Sequence, residues 1–280
     1  MDDFRAASLA GWSSVAPDWG ELISRVDRQL ERAAEWMLGA VALEEGDRVL
    51  ELAGGPGTLS LAAARDVGEG GEVICTDFAQ PMVDAARARA GTDGASNMRF
   101  QVMDAEAIDM PDASVDVVLC RMGLMLMAEP AAALRESARV LTPGGRLAVA
   151  VWSEAQANPW AAVPMRAIMD HFGAPPPPPG APGLWALADH DQFVALLAGA
   201  GFESITTETL EDRIEYASVE EWLELTGRLA GPVRALLANL DDAGRDAIRS
   251  AISSAAGDYR REDGSLVLPE RMLVASALRP

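Results

Sequence analysis

The chain has 280 residues, with 43 acidic against 23 basic side chains and a formal net charge of −20. So acidic a surface argues against nucleic acid or anionic membrane as a partner, because both repel it. No apolar run reaches the roughly 18 residues that a membrane-spanning helix needs, and an apolar fraction of 49% is ample for a large core; a soluble, cytoplasmic protein of one domain with an elaborated cap, or of one and a half domains, is expected.

The opening segment, MDDFRAASLAG, is acidic and lacks the apolar core of a signal peptide. Two helices are expected in residues 1–46, one around residues 12–15 and a longer one over 22–41. Residues 49–53 are an apolar run rich in strand formers, ended by Gly54, Gly55, Pro56 and Gly57. A helical pattern follows over residues 58–65. A strand, a tight glycine turn and a helix N-terminus together make a nucleotide-cofactor site. Glycine allows the sharp turn and leaves no Cβ between backbone and ligand. The helix end offers unpaired N–H groups. Taken alone, the same turn is also an ordinary strand-to-helix connection.

Later turns separate the two readings. A second strand over residues 72–76 ends in Asp77, about 20 residues past the glycine turn, the usual interval for an acid that holds ribose hydroxyls. A third over 98–103 ends in Asp104. A fourth covers 115–120. A fifth, 146–152, follows the turn Thr142-Pro143-Gly144-Gly145. Strands alternating with helical patterns imply a parallel sheet with helices on both faces, whose ligands bind at the carboxyl ends of the strands. The glycine turn, Asp77 and Asp104 converge on one such rim.

Residues 153–190 read as a cap insertion: a helix near 160–172, then five successive prolines over 175–179 that form a stiff polyproline II spacer. A helix over 191–200 is closed by Gly199 and Gly201. Residues 202–216 alternate as a strand, 218–257 are helical with a break at Pro232, and 266–278 read as the last strand. The fold class is therefore α/β with a parallel sheet; the family resemblance set out below completes it as a Rossmann-like, seven-stranded, mostly parallel sheet with helices on both faces, an antiparallel last strand and helical cap insertions. The divisions are 1–46, the core 47–152, the cap insertion 153–190, and 191–280 carrying the helical insertion 218–257. That insertion completes a lid or a homodimer contact.

Few side chains offer acid–base chemistry. His171, on the cap helix, is a candidate general base or an exposed helix-end residue favoured by the helix dipole. His190 stands in a capping turn. Arg121 follows the fourth strand, where it orients an acceptor acid or a cofactor carboxylate, or pairs with Glu51 or Asp116. Met122, Leu124, Met125, Leu126 and Met127 make the loop after that strand apolar. Trp152, Trp160, Met165, Met169 and Trp185 follow. Methionine adapts to irregular apolar surfaces and tryptophan supplies flat contact area, so a hydrophobic or aromatic acceptor is expected, with Met122, Met125, Trp152, Trp160 and Met165 as its pocket. Cys75 and Cys120 are the only cysteines and read as inert core thiols. No metal site is expected, since His–acid clusters at ligand spacing are missing. All basic residues are arginine, as in a GC-rich bacterial genome.

The ordered stretches VLELAGGPG, TDFAQPMVDAARARA, FQVMDAEAIDMPDASVDVVLC and ALRESARVLTPGGRLAVAVW resemble a class I S-adenosylmethionine-dependent methyltransferase, nearest the quinone-biosynthesis (methyltransferase type 11-like) branch. The resemblance covers residues 12–155 well and the remainder loosely. It implies S-adenosylmethionine as cofactor, S-adenosylhomocysteine as product, and an N-terminal segment, 1–46, that closes over the cofactor. Its first motif maps onto Glu51, Ala53, Gly54, Gly55 and Gly57, with Ala53 where the family has glycine. Pro56 removes one N–H donor from that turn. Trp19 stands where the family often has a tyrosine near the methionine moiety. The resemblance further assigns Asp77, Phe78 and Met82 to the ribose and adenine, Asp104, Ala105 and Glu106 to the adenine, and Cys120 and Arg121 to the rim after the fourth strand. The acceptor pocket is expected between residues 121–127 and the cap insertion.

Two functions from different classes follow. The first is methyl transfer to an apolar, aromatic or quinone-like small molecule. The second is a protein of the same fold that binds the cofactor without transferring methyl, an option kept open by the weak base candidates. A dinucleotide-dependent oxidoreductase is disfavoured, because the third glycine of Gly-x-Gly-x-x-Gly falls on Thr58.

Overall fold

Short apolar runs bounded by glycine or acidic residues form the central strands, and a long polar run forms the edge strand of the final hairpin. The computed structural model describes residues 2–175, 177–178 and 180–280. In chain order the elements are α1 (Asp2–Glu21), α2 (Ile23–Gln29), α3 (Glu31–Val41), β1 (Arg48–Glu51), α4 (Thr58–Asp66), β2 (Glu72–Asp77), α5 (Gln80–Asp93), β3 (Met98–Val102), β4 (Val115–Arg121), α6 (Pro130–Val140) and β5 (Leu141–Trp152). They are followed by α7 (Pro159–Phe172), α8 (His190–Gly199), β6 (Glu203–Tyr216), α9 (Val219–Leu229), α10 (Gly231–Ala238), α11 (Asp242–Ala255) and β7 (Leu266–Leu278).

The seven strands form one sheet in the order β3-β2-β1-β4-β5-β7-β6. Strands β1 to β5 pair in parallel, and β7 runs antiparallel to both β5 and β6. Val49, Leu50, Val117, Val118 and Leu119 of the central strands are wholly buried, as a sheet covered on both faces requires. The strand order reverses between β1 and β4, and a crevice opens there at the carboxyl ends. Register aligns those ends: Glu51 lies beside Cys75 of β2 and Leu119 of β4, and Asp77 beside Val102 of β3.

Two local expectations change. The first helix begins earlier, and the second is broken. α1 runs from Asp2 through Pro17 to Glu21, and the stretch expected as one helix is divided at Leu30 into α2 and α3. At that break Gln29 donates to the buried Glu270 of β7 (2.8 Å), so a contact with the sheet sets the bend. The turn at residues 142–145 lies inside β5 as a bulge, with Gly144 at φ +79°; the partner of Val115 is Leu141 while that of Val117 is Arg146. The expected polyproline spacer includes Pro176 and Pro179, which lie outside the described residues.

Two large apolar clusters form. One fills the sheet and its flanking helices. The other lies between α7, α9, α11 and the distal ends of β6 and β7, around Ile168, Trp222, Ile248, Ile252 and Leu268. The helices inserted into the last hairpin thus bury the apolar face of α7.

Candidate active site

The site is assembled from the ends of β1, β2 and β4. After Glu51 the chain turns over the sheet edge. The Leu52 N–H donates to the Leu119 carbonyl and the Gly54 N–H to the Thr76 carbonyl, both at 2.8 Å. Gly55 and Gly57 adopt φ of +52° and +78°, values that cost glycine little. A Cβ on Gly54 would stand 2.9 Å from the Cys75 sulfur, whereas one on Gly55 would meet nothing within 4 Å. The backbone at Gly55 therefore faces open space.

Ala53, the departure from the glycine pattern, also has positive φ, +52°. Its methyl is accommodated by a second glycine: a Cβ on Gly123 would stand 2.5 Å from that of Ala53. The loop after β4 thus leaves the room that the alanine takes.

Two buried carboxylates stand under the turn. Glu51, 1% exposed, accepts from the Ser60 N–H (2.8 Å) and the Ser60 hydroxyl. Burial pushes its pKa up to about 7, against the opposing pull of those bonds and of the Arg121 charge. Asp77 accepts from the Gly55 N–H (3.0 Å) at one oxygen and the Ala79 N–H (2.9 Å) at the other. Burial raises its pKa to about 6, opposed by the N–H groups of Ala79, Gly55 and Phe78. Arg121 ends β4. Burial lowers its pKa while Glu51 and Asp27 oppose the shift. Its guanidinium reaches the Leu30 carbonyl at 3.5 Å; the salt bridges expected to Glu51 or Asp116 are not formed.

A cavity of about 360 Å³ opens above these groups. It is lined by Trp19, Glu51, Ala53, Gly54, Gly55, Asp77, Phe78, Met82, Asp104, Ala105, Glu106, Arg121 and Met122. Gly57 and Cys120 do not line it: Gly57 caps α4 against the Ala86 methyl, and the Cys120 side chain is buried beside Gly123. Two lining residues have other partners. The Trp19 indole N–H donates to the Leu229 carbonyl (2.9 Å). Glu106 accepts from Arg5 and from the Glu129 N–H.

The cavity lies between the loop after β4 and helices α1 and α2, not toward the cap insertion. Met125, Trp152, Trp160 and Met165 do not line it. Met125 is buried, its sulfur accepting from the Trp152 N–H (3.3 Å). Trp152 and Trp160 pack on each other at 4.8 Å between ring centroids. Met165 packs into the second core. His171 is exposed and lies near Gly244 of α11, away from the cavity. For Trp160, Met165 and His171, all on α7, the cause is the hairpin insertion, which gives that helix a partner on its apolar face. In place of these residues, α1 supplies Phe4, Leu9 and Trp12, α2 supplies Ile23 and Val26, and the break after α2 supplies Leu30. The helical spacing of 23, 26 and 30 was the legible signal for the last three.

The comparisons with known proteins agree with this architecture. A sequence model of the methyltransferase domain matches residues 49–145. The ubiquinone/menaquinone biosynthesis C-methyltransferase UbiE of Azotobacter vinelandii is 35% identical over 174 residues, 59% of this chain and 69% of the relative. UbiE of Yersinia pestis is 39% identical over 118 residues, covering 42% of this chain and 47% of that protein. Among solved structures, the YcgJ protein of Bacillus subtilis superimposes with a TM-score of 0.61 at 20% identity, over 89% of this chain and 98% of that one. The geranyl diphosphate C-methyltransferase of Streptomyces coelicolor, solved with S-adenosyl-L-homocysteine, gives 0.52 at 16% identity, over 92% and 84%; these two likenesses concern the fold.

The chain belongs to the class I S-adenosylmethionine-dependent methyltransferases. Within that class it resembles the quinone-biosynthesis branch; it is a methyl-transferring enzyme with S-adenosylmethionine as cofactor, and the reading without methyl transfer is not favoured. Among the described residues, no helix is long and apolar enough to cross a membrane.

Proposed function

We propose that the cavity over β1, β2 and β4 holds S-adenosylmethionine, and that the apolar wall beside it takes a hydrophobic, aromatic or quinone-like acceptor. The observation that carries this reading is the open space at Gly55, flanked by the Asp77 carboxylate on β2 and the Arg121 guanidinium on β4. The residues fit the cofactor's chemistry. Asp77 keeps lone pairs for the two ribose hydroxyls. Asp104, exposed and with one carboxylate oxygen accepting from the Glu106 N–H, is an acceptor for the adenine amino group. Phe78 and Met82 are the apolar walls of the ring. Glu51 and Arg121 offer opposite charges to the ammonium and carboxylate of the methionine end. Residues 1–46 serve as the lid.

When bound, the cofactor supplies an electrophilic methyl on a sulfonium. The protein's own tasks are alignment and the exclusion of water. The titratable side chains lining the cavity are Arg5, Glu51, Asp77, Asp104, Glu106 and Arg121, and both histidines lie outside it. No residue is therefore cast as a general base, which suits a carbon nucleophile or an acceptor already ionised. Ile23, Val26, Leu30, Met122, Leu126 and Met127 form the apolar wall. The relatives named for C-methylation in ubiquinone and menaquinone biosynthesis support the quinone-like class. Two free, buried cysteines fit a reducing, cytoplasmic setting.

The test is incubation of the purified protein with methyl-labelled S-adenosylmethionine and a panel of phenols, quinones and polyketide-like compounds. Label is expected on an apolar aromatic acceptor. Label confined to small polar or charged acceptors would refute the acceptor class.

A further inference from the structure

The helix over the cavity is held from outside by the helices inserted between β6 and β7. α1 lends Phe4, Leu9, Trp12 and Trp19 to the cavity wall. Its N-terminal end is fastened to the rim by the Arg5–Glu106 pair. Its other end carries Asp18, whose side chain is 19% exposed. One Asp18 oxygen accepts from Arg228 Nε at 2.6 Å, and the other accepts from Arg234. Arg228 also reaches Glu21 (2.7 Å), and Arg234 donates to the Ser14 carbonyl (2.7 Å). The Trp19 indole donates to the Leu229 carbonyl at the end of α9. The backbones of α1 and α10 touch: a Cβ on Gly231 would lie 2.3 Å from the Gly11 carbonyl oxygen. A helix that needed only shielding from water would not require two arginines of another element converging on a single carboxylate.

We infer that the insertion carrying α9 and α10 is a clasp on α1, with Asp18 as its positioning residue, and that the clasp sets how fast a ligand leaves the cavity. The inference rests on the reading of that cavity as the cofactor site. A molecule enclosed beneath α1 departs when α1 lifts, and α1 lifts when the Asp18 pairs break. Those pairs are partly exposed, so salt weakens them. Release from the native protein therefore quickens with ionic strength.

The experiment measures release of bound S-adenosylhomocysteine by stopped-flow displacement, at low salt and at about 0.5 M salt, where screening is nearly complete within a few ångströms. Native protein, Asp18→Asn and Arg234→Gln are compared, with hydrogen exchange of residues 2–21 followed in the ligand-free proteins. Release from Asp18→Asn is expected about five- to tenfold faster at low salt, as for loss of a small charge network. Its salt dependence should be weaker than that of the native protein, the Arg5–Glu106 and Arg228–Glu21 pairs remaining, and residues 2–21 should exchange faster. Arg234→Gln, which leaves the Arg228 pair in place, should fall between the two and stands in for Asp18→Asn if that variant does not fold. Unchanged exchange over residues 2–21 overturns the clasp. Faster exchange with unchanged release overturns its link to the ligand. Asp77→Ala measured in parallel separates the causes: if it too leaves binding intact, the cofactor-site reading has failed; if it weakens binding, the failure belongs to the clasp alone.

Discussion

Replacing Asp77 by alanine tests the cofactor site at its most constrained point. The carboxylate is 7% exposed and already accepts one backbone N–H at each oxygen, from Gly55 at 3.0 Å and Ala79 at 2.9 Å. Those bonds hold it in place before any ligand arrives. Two ribose hydroxyls would add two charge-assisted bonds, each worth about 1.5–3 kcal/mol. Non-additivity within one carboxylate and relaxation of the Gly55 loop reduce the sum to about 2–4 kcal/mol, or roughly 30- to 1000-fold in Kd. Calorimetric titration with S-adenosylhomocysteine measures this directly. A second signature comes from protonation. With a pKa of about 6, Asp77 is ionised above pH 7 and loses acceptor strength below pH 6. Native affinity should fall by up to about tenfold per unit below pH 6, where the Asp77 carboxylate is protonated. Asp77→Ala should reduce that fall and leave the pH dependence that Glu51 contributes, with its pKa of about 7. A folded Asp77→Ala protein that binds within about threefold of the native one, a difference of under 1 kcal/mol, would refute the assignment. So would Asp104→Ala proving the more damaging of the two.

Gly55→Val should abolish binding while the fold survives: its φ is +52° and its Cβ would enter open cavity, so the cost to folding is backbone strain of roughly 1–2 kcal/mol. Circular dichroism with calorimetry checks both halves, and an unfolded variant would make the glycine structural. His171→Ala should leave turnover within about threefold, under 1 kcal/mol of barrier, because the ring is exposed and outside the cavity; a loss near 10²-fold in a steady-state assay would restore it as a base. Stability should fall as pH rises. Burial holds Glu51 and Glu270 at about 7 in the folded chain, above their ordinary 4.5. The native state therefore binds more protons than the unfolded one between about pH 4.5 and 7, and each group takes away about 3 kcal/mol across that window. Glu270 has one oxygen on Gln29 and the other buried without a hydrogen-bond partner among the described residues, so Glu270→Gln should raise Tm at pH 8 and not at pH 5. Equal effects at both pH values in thermal melts would show that Glu270 does not carry this charge cost.

What could be read from the chain alone is what neighbouring residues decide among themselves. Apolar runs ending in glycine or aspartate give strands whose carboxyl ends carry Asp77 and Asp104, because strand length and turn chemistry are set within about ten residues. The alternation of those strands with helical patterns yields a parallel sheet and places its ligand rim. The strands β6 and β7 were legible too, but their antiparallel pairing came from the family resemblance and not from the pattern of either run. Contacts between segments far apart in sequence decided the rest. Ala53 stands where the family pattern has glycine, and only the fold brings Gly123, seventy positions on, to make room for its methyl. Trp160 and Met165 have the composition of an acceptor wall, but the insertion after β6 gives their helix an apolar partner, Trp222 with Ile248 and Ile252, and turns it from the cavity. α1 and α2 line the cavity instead, with Asp18 meeting Arg228 and Arg234, and Gln29 meeting Glu270. Periodicity specifies that a helix has an apolar face; which surface that face meets depends on the shapes and charges of elements more than two hundred residues away.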